Sequence, residues 1–285
     1  MAPWWGRLFG GANRGELAAT DCLRRCARDL TGDEKTVSVQ TSNQFGDHFA
    51  DRREAGRRLV CRLSTFCGRD DVIVLGLPRG GVPVAFEVAR GLGALLDVFV
   101  VRKLGVPGQE ELAMGAITPD GVRVLNPKVL RRLPDAEGIL AKVTAIEQRE
   151  CERREKEYRD GRPASDLRGK TVILVDDGLA TGATMRAAIG GARQRGAARI
   201  VVAAPVGARE TCAHLGGEAD EVFCLIQPQD FLAVGQYYGD FSQTTDEEVR
   251  DLLARAAQRQ ASNAGASHHG NAGGKDSSPP AHRPD

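Results

Sequence analysis

Short, wholly apolar runs alternate with amphipathic stretches through most of the chain. The runs are 72-VIVLGL-77, 96-LDVFVV-101, 171-TVILV-175, 199-RIVVAAP-205 and 221-EVFCL-225. None shows the polar alternation of a half-exposed strand, so they predict strands covered on both faces. Helical spacing is read over 49–67, where Ala55, Leu59, Arg62 and Phe66 share a face, and over 82–92, 137–159, 181–195 and 208–215. In 137–159, Ile139, Val143 and Ile146 are predicted to face a core. Glu150/Arg154, Glu152/Lys156 and Glu155/Arg159 supply i,i+4 pairs on the other side. Residues 104–115 carry Gly and Pro without a clear period, and Asp120-Gly121 between short runs reads as a hairpin turn. Strands alternating with helices at this spacing predict an α/β fold, a central and mostly parallel sheet with helices on both faces.

The ends differ from this middle. Residues 1–42 are poorly patterned and read as a loosely ordered extension. Residues 43–245 hold the α/β domain, and 246–260 a C-terminal helix. Residues 261–285 contain no large apolar side chain and are expected to be a disordered tail, with His268, His269 and His282 solvated.

Composition narrows the partners. The 285 residues include 39 Lys plus Arg and 38 Asp plus Glu, for a net charge of +1. This balance offers no case for nucleic acid or an anionic membrane as main partner, so any anion site must be built locally. No apolar run approaches the ~20 residues of a membrane span. Trp4, Trp5, Leu8 and Phe9 lack the hydrophobic stretch and cleavage site of a signal peptide. Seven scattered cysteines without a CxxC pair (Cys22, Cys26, Cys61, Cys67, Cys151, Cys212 and Cys224) read as reduced thiols in a cytoplasmic protein. Zinc at Cys22, Cys26, Cys61 and Cys67 is disfavoured by the wide ligand spacing.

The stretch that carries chemistry is 172-VILVDDGLATGAT-184. A buried strand ends in Asp176 and Asp177, and a Gly/Thr loop leads into a helix. Ligands of open α/β sheets bind outside the carboxyl ends of strands. Gly178 and Gly182 allow a tight turn and close backbone approach, while Thr181 and Thr184 add hydroxyls at a helix N-terminus. Two acids beside an anion cradle conflict unless they contact a neutral part of the same ligand. Ribose hydroxyls resolve the conflict, which points to a ribose 5-phosphate ligand. The plain structural alternative, a helix N-cap with two exposed acids, accounts for the Asp but not for the repeated Gly and Thr. No GxxxxGK[ST] occurs, and 91-GLGALL-96 lacks the third glycine of a dinucleotide fingerprint.

At every position, residues 172–184 resemble the phosphoribosyl pyrophosphate (PRPP) motif of the type I phosphoribosyltransferases, and the resemblance extends over roughly residues 45–240. It implies that Asp176 and Asp177 hold the ribose hydroxyls, directly or through Mg²⁺, and that Gly178, Leu179, Ala180, Thr181, Gly182, Ala183 and Thr184 wrap the 5-phosphate. The segment 76-GLPRGG-81 is similar to the family's pyrophosphate loop, with Arg79, Gly80 and Gly81 as contacts. The segment 101-VRKLGVPGQEELAMGAI-117 resembles its Arg-Lys strand end and lid, placing Arg102 and Lys103 near pyrophosphate. By the residues alone, Gly80-Gly81 is equally a bland strand-to-helix turn, and Arg102-Lys103 a solvated strand end.

The implied activity is transfer of ribose 5-phosphate from PRPP to a small, nucleobase-like acceptor, with Asp176, Asp177 and Lys103 as catalytic residues and pyrophosphate released. Mg²⁺, Arg79, Lys103 and the Gly80 and Gly81 amides would stabilise the departing anion. Residues 104–115, with Gly105, Pro107 and Gly108, are the expected lid; Glu110 and Glu111 are read as solvated. Phe231, Tyr237, Tyr238 and Phe241 fall where the family builds a small hood over the acceptor; they serve equally well as a packing clasp. The alternative function is a PRPP-sensing module without turnover. A phosphate-ester hydrolase is disfavoured because His48 and His214 are isolated. Nothing in the chain selects the acceptor, and a homodimer is left open.

Overall fold

The computed structural model describes residues 48–268. The readings of 1–42, Cys22, Cys26, His269 and His282 lie outside them.

Five parallel strands form the central sheet: β1 (Val72–Gly76), β2 (Leu95–Val98), β6 (Thr171–Val175), β7 (Arg199–Val206) and β8 (Glu221–Ile226), in the order β2-β1-β6-β7-β8. Every residue of β1 and β6 is buried. Their side chains divide by parity, as the pleat requires. Val72, Val74, Ile173 and Val175 pack with helices α1 (Arg52–Arg62), α2 (Gly81–Leu92) and α7 (Asp246–His268). Ile73, Leu75, Val172 and Leu174 pack with α5 (Ala183–Gln194) and α6 (Arg209–Leu215). This is the two-faced α/β architecture the apolar runs predict.

A second sheet is antiparallel: β3 (Arg102–Val106), β4 (Gln109–Ile117) and β5 (Arg123–Leu125). It serves as a hood beside the parallel sheet. The stretch without a clear period is thus mostly strand. Its alternation is blurred by register shifts around Gly105. What orders it is tertiary: Leu104, Val106, Met114 and Ile117 pack on Val129, Ile139 and Val143 of the following helices, α3 (Pro127–Leu130) and α4 (Ala136–Arg159). The Asp120-Gly121 turn joins β4 to β5, with Gly121 at φ 80°.

Several boundaries move. The first helix stops at Arg62 and a 3-10 turn follows at Ser64–Phe66; Leu63, not Arg62, continues the buried face of Ala55 and Leu59. Ile146 is 66% exposed; the buried face of α4 passes from Val143 to Cys151 and Tyr158 instead. The Glu150–Arg154 and Glu155–Arg159 pairs form, and Arg159 turns inward to reach Asp97 as well. The last helix runs past residue 260 to His268. Cys61 and Cys67, expected as reduced thiols, are disulfide-bonded, while Cys151, Cys212 and Cys224 are free. Spacing along the chain carries no pairing signal, because sulfur proximity is set by the fold. No described helix is long and apolar enough to cross a membrane.

Candidate active site

The site lies where β1 and β6, neighbours in the sheet, both end. Leaving β1, the chain turns through Leu77, whose N–H donates to the Val175 carbonyl at 2.9 Å, and a cis Pro78–Arg79 peptide. Gly80 and Gly81 then open α2. Neither could carry a side chain without displacement. A Cβ at Gly81 would lie 2.6 Å from the Val175 carbonyl oxygen and 2.9 Å from Asp176 Cα. One at Gly80 would lie 2.0 Å from Asp177 Oδ2. The glycine pair therefore brings the first loop into contact with the acids of the second.

Leaving β6, Asp176 and Asp177 are half-buried side by side. Burial pushes the Asp176 carboxyl well above the usual carboxylate range, and the neighbouring Asp177 charge adds to it. Asp177 is also raised by burial, against the opposing pull of Arg52, whose Nε donates to Asp177 Oδ2 at 2.9 Å. Arg52 is a site residue that the sequence reading missed. Its helix begins 52-RREAGRR-58, and nothing in that run distinguishes the one guanidinium that turns towards the aspartates. Arg52 also donates to the Ser242 carbonyl and lies 4.0 Å from the Phe241 ring centroid.

The loop beyond the acids is partly committed to the protein. The Leu179 side chain is in the core; its N–H donates to the Val206 carbonyl and its own carbonyl accepts from Ala208 N–H, both at 2.9 Å. Leu179 thus anchors the loop, and its amide is already engaged. Ala180, Thr181 and Thr184 are exposed. Gly182 takes φ 70° at the N-cap of α5, where no side chain caps the helix; Ala183 N–H makes a long 3.4 Å contact to Thr181 Oγ1. Exposed amides and hydroxyls around a left-handed glycine at a helix start suit an anion.

The other expected contacts are distributed less simply. The Arg79 guanidinium lies 4.0 Å from Asp246 at the start of α7, and Asp246 also accepts from the Tyr158 hydroxyl at 2.5 Å. Arg102 donates to Glu147 of α4 at 2.7 Å. Lys103 is the second residue of β3, opposite Ala116. Among the described residues no group of three His, Cys, Asp or Glu is placed to hold a metal.

The aromatic segment is a clasp. Phe231 and Tyr237 stack at 6.1 Å, and Tyr238 packs with Phe49, Ala55 and Val206. The Tyr238 hydroxyl donates to the Asp177 carbonyl at 2.6 Å, while Val234 fills the space a Cβ on Gly178 would need. Tyr238→Phe is expected to cost about 1 kcal/mol of stability by orphaning that carbonyl. A parent-like Tm would show that the clasp does not hold the loop.

Residues 54–241 match the phosphoribosyl transferase domain family. The chain belongs to that family. Its fold matches the crystal structure of TT1426 from Thermus thermophilus, at 46% identity and a TM-score of 0.66, covering 73% of this chain and 98% of that one. Two Mycobacterium tuberculosis proteins, from strains CDC 1551 and H37Rv, are each named as a presumed phosphoribosyl transferase. Each is 53% identical over 212 residues, covering 73% of this chain and 47% of the relative. The chain spans about half the length of these curated relatives.

Proposed function

We propose that this phosphoribosyltransferase-family chain binds PRPP across the two loops and transfers its ribose 5-phosphate to a small acceptor, releasing pyrophosphate. The observation that carries the reading is the contact of Gly80 with Asp177. It brings the glycine turn and the acid pair together, which supports one ligand that carries both an anion and a hydroxylated sugar. In this reading Asp176 and Asp177 accept hydrogen bonds from the ribose hydroxyls. Gly178, Ala180, Thr181, Gly182, Ala183 and Thr184 receive the 5-phosphate, with Leu179 fixing the loop from behind. Arg79, Gly80 and Gly81 take the pyrophosphate, joined by Arg102 and Lys103 once the β3–β4 hairpin closes; Arg102 must then leave Glu147.

Mg²⁺ fits the donor set. Two adjacent carboxylates whose charged forms are disfavoured by burial gain from a hydrated dication. When bound, it would neutralise charge accumulating on the leaving pyrophosphate. The protein's own part is electrostatic. Displacement at the anomeric carbon develops positive charge on the sugar and negative charge on the leaving group. The acids face the first, and the Gly80 amide with Arg79 and Lys103 faces the second, the Gly81 amide being already committed to the Leu77 carbonyl at 3.0 Å. Residues 104–115 would exclude water, which competes with the acceptor.

The acceptor side is formed by the clasp, where Phe241 is partly exposed beside Arg52, a surface suited to a planar, nucleobase-like ring. PRPP is highly charged and does not cross membranes unaided, so its use argues for a chain that works in the cytoplasm. The disulfide bonding of Cys61 and Cys67 pulls the other way, since reducing compartments seldom keep such bonds. Incubating the protein with PRPP, Mg²⁺ and a panel of purines, pyrimidines and small amines should release pyrophosphate with at least one acceptor. PRPP binding without turnover across the panel would leave a sensing module instead.

A further inference from the structure

Behind the proposed phosphate loop lies a thiol pair that the reaction does not use. Cys212 is buried in α6 and Cys224 half-buried in the edge strand β8; both are free. The Cys224 thiol donates to the Ile226 carbonyl at 3.3 Å, and both sulfurs converge on the same strand end. Both sulfurs crowd Gly207: a Cβ there would lie 2.8 Å from Cys212 Sγ and 3.3 Å from Cys224 Sγ. The missing side chain of Gly207 leaves the space in which the two sulfurs approach each other.

Gly207 and α6 are in turn tied to the loop. Leu179 bridges Gly207, and Ala208 N–H donates to the Leu179 carbonyl. Thr211, next to Cys212, donates from Oγ1 to the Ala180 carbonyl at 2.6 Å, and its Cγ2 fills the space beside Gly182. The position of α6 relative to β8 is thereby transmitted to Leu179, Ala180 and Gly182.

We propose that Cys212 and Cys224 are a redox modification site: peroxide joins them in a reversible disulfide that shifts α6 and weakens the phosphate loop. The Cys212 thiolate attacks one peroxide oxygen and the O–O bond breaks. Hydroxide leaves and takes a proton to become water, and Cys212 is left as a sulfenic acid. Cys224 then attacks the Cys212 sulfur, the S–O bond breaks, and hydroxide leaves with the proton Cys224 gives up. Two thiols have lost two electrons, and one peroxide has become two waters.

The electrostatics support Cys212 as the attacking group. Its thiol is lowered by the neighbouring Cys224 thiol, which is itself raised by the same proximity and by burial. Cys151 is an internal contrast, a buried thiol pushed up to about 12 that should remain unreactive.

The thiol chemistry stands without the proposed function; the effect on the loop rests on it. Hydrogen peroxide treatment of the full chain, followed by peptide mapping, should find Cys212 linked to Cys224 with Cys151 still a thiol. Cys224→Ser should stop at a sulfenic acid on Cys212, trapped by dimedone. PRPP affinity should fall about tenfold on oxidation, the scale of one or two lost hydrogen bonds, and return with dithiothreitol. Cys212→Ser should abolish that sensitivity. Cys212 and Cys224 remaining thiols, or oxidising separately, would overturn the pair. A disulfide that leaves PRPP affinity unchanged would overturn the coupling. Reduced protein that binds no PRPP would count against the proposed function alone, and the mapping would still decide the disulfide.

Discussion

Replacing Asp176 and Asp177 together by Asn is expected to abolish PRPP binding while the protein stays folded. Asparagine retains the size of the side chain but removes the charge that accepts strongly from sugar hydroxyls or holds Mg²⁺. Calorimetry with PRPP and Mg²⁺ should show no heat where the parent saturates; retained affinity would sink the assignment of the acids. Stability should behave differently, because these acids are a burden in the free protein. The Asp176 carboxyl is raised in the folded state by burial and by Asp177. A carboxylate raised on folding binds protons more tightly in the native state, so it costs stability above its unfolded value of about 3.9 and costs nothing well below it. Asp176→Asn alone should therefore be more stable than the parent at pH 7, with the advantage vanishing near pH 3. A loss of stability at pH 7 would show that the carboxylate supports the fold instead. Asp177→Asn gains less, because it leaves Arg52 without its 2.9 Å partner.

Gly81→Ala is the second large effect, and its neighbour separates fold from function. At Gly81 the obstacles are backbone: the Val175 carbonyl at 2.6 Å and Asp176 Cα at 2.9 Å. Neither can move without parting β6 from the β1–α2 turn, so the substitution should cost about 2 kcal/mol, or roughly 4–8 °C in Tm, together with PRPP binding. At Gly80 the obstacle is the Asp177 carboxylate, the end of a side chain. Gly80→Ala should displace that carboxylate, break its pair with Arg52 and weaken PRPP at least tenfold, with a Tm shift of only a degree or two. Gly216→Ala is the control: its backbone is right-handed α and the nearest atom is 3.3 Å away, so neither property should change. Equal losses of stability at Gly80 and Gly81 would show that the two loops are not joined as described.

The legible parts of this protein are those whose causes are local. Five apolar runs cannot be solvated, so they mark the strands, and their lack of alternation marks burial on both faces. The Asp-Asp-Gly…Thr-Gly run could be read as a sugar-phosphate cradle because adjacent residues create its chemistry. Gly80 and Gly81 were ambiguous by themselves, since a glycine pair after a strand has many uses. Only the pairing of β1 with β6 sets them against Asp177 and Asp176 and makes them obligatory.

What the sequence could not disclose is everything that depends on distant chain meeting. Arg52 is one arginine among several until α1 is laid over the sheet ends and one guanidinium meets Asp177. The 104–115 stretch has no period of its own, and α3 and α4 decide that it is strand by covering Leu104, Val106 and Met114. Leu179 looks like a ligand residue in the motif, but hydrogen bonds to Val206 and Ala208 make it an anchor. Cys212 and Cys224 are scattered cysteines until α6 and β8 close around Gly207. The chain by itself determined the elements, the two-faced sheet and the kind of ligand chemistry, because periodicity and residue type act over a few positions. The tertiary structure decided which charges meet and which backbone groups stay open, because those depend on distances between segments that no short run of sequence encodes.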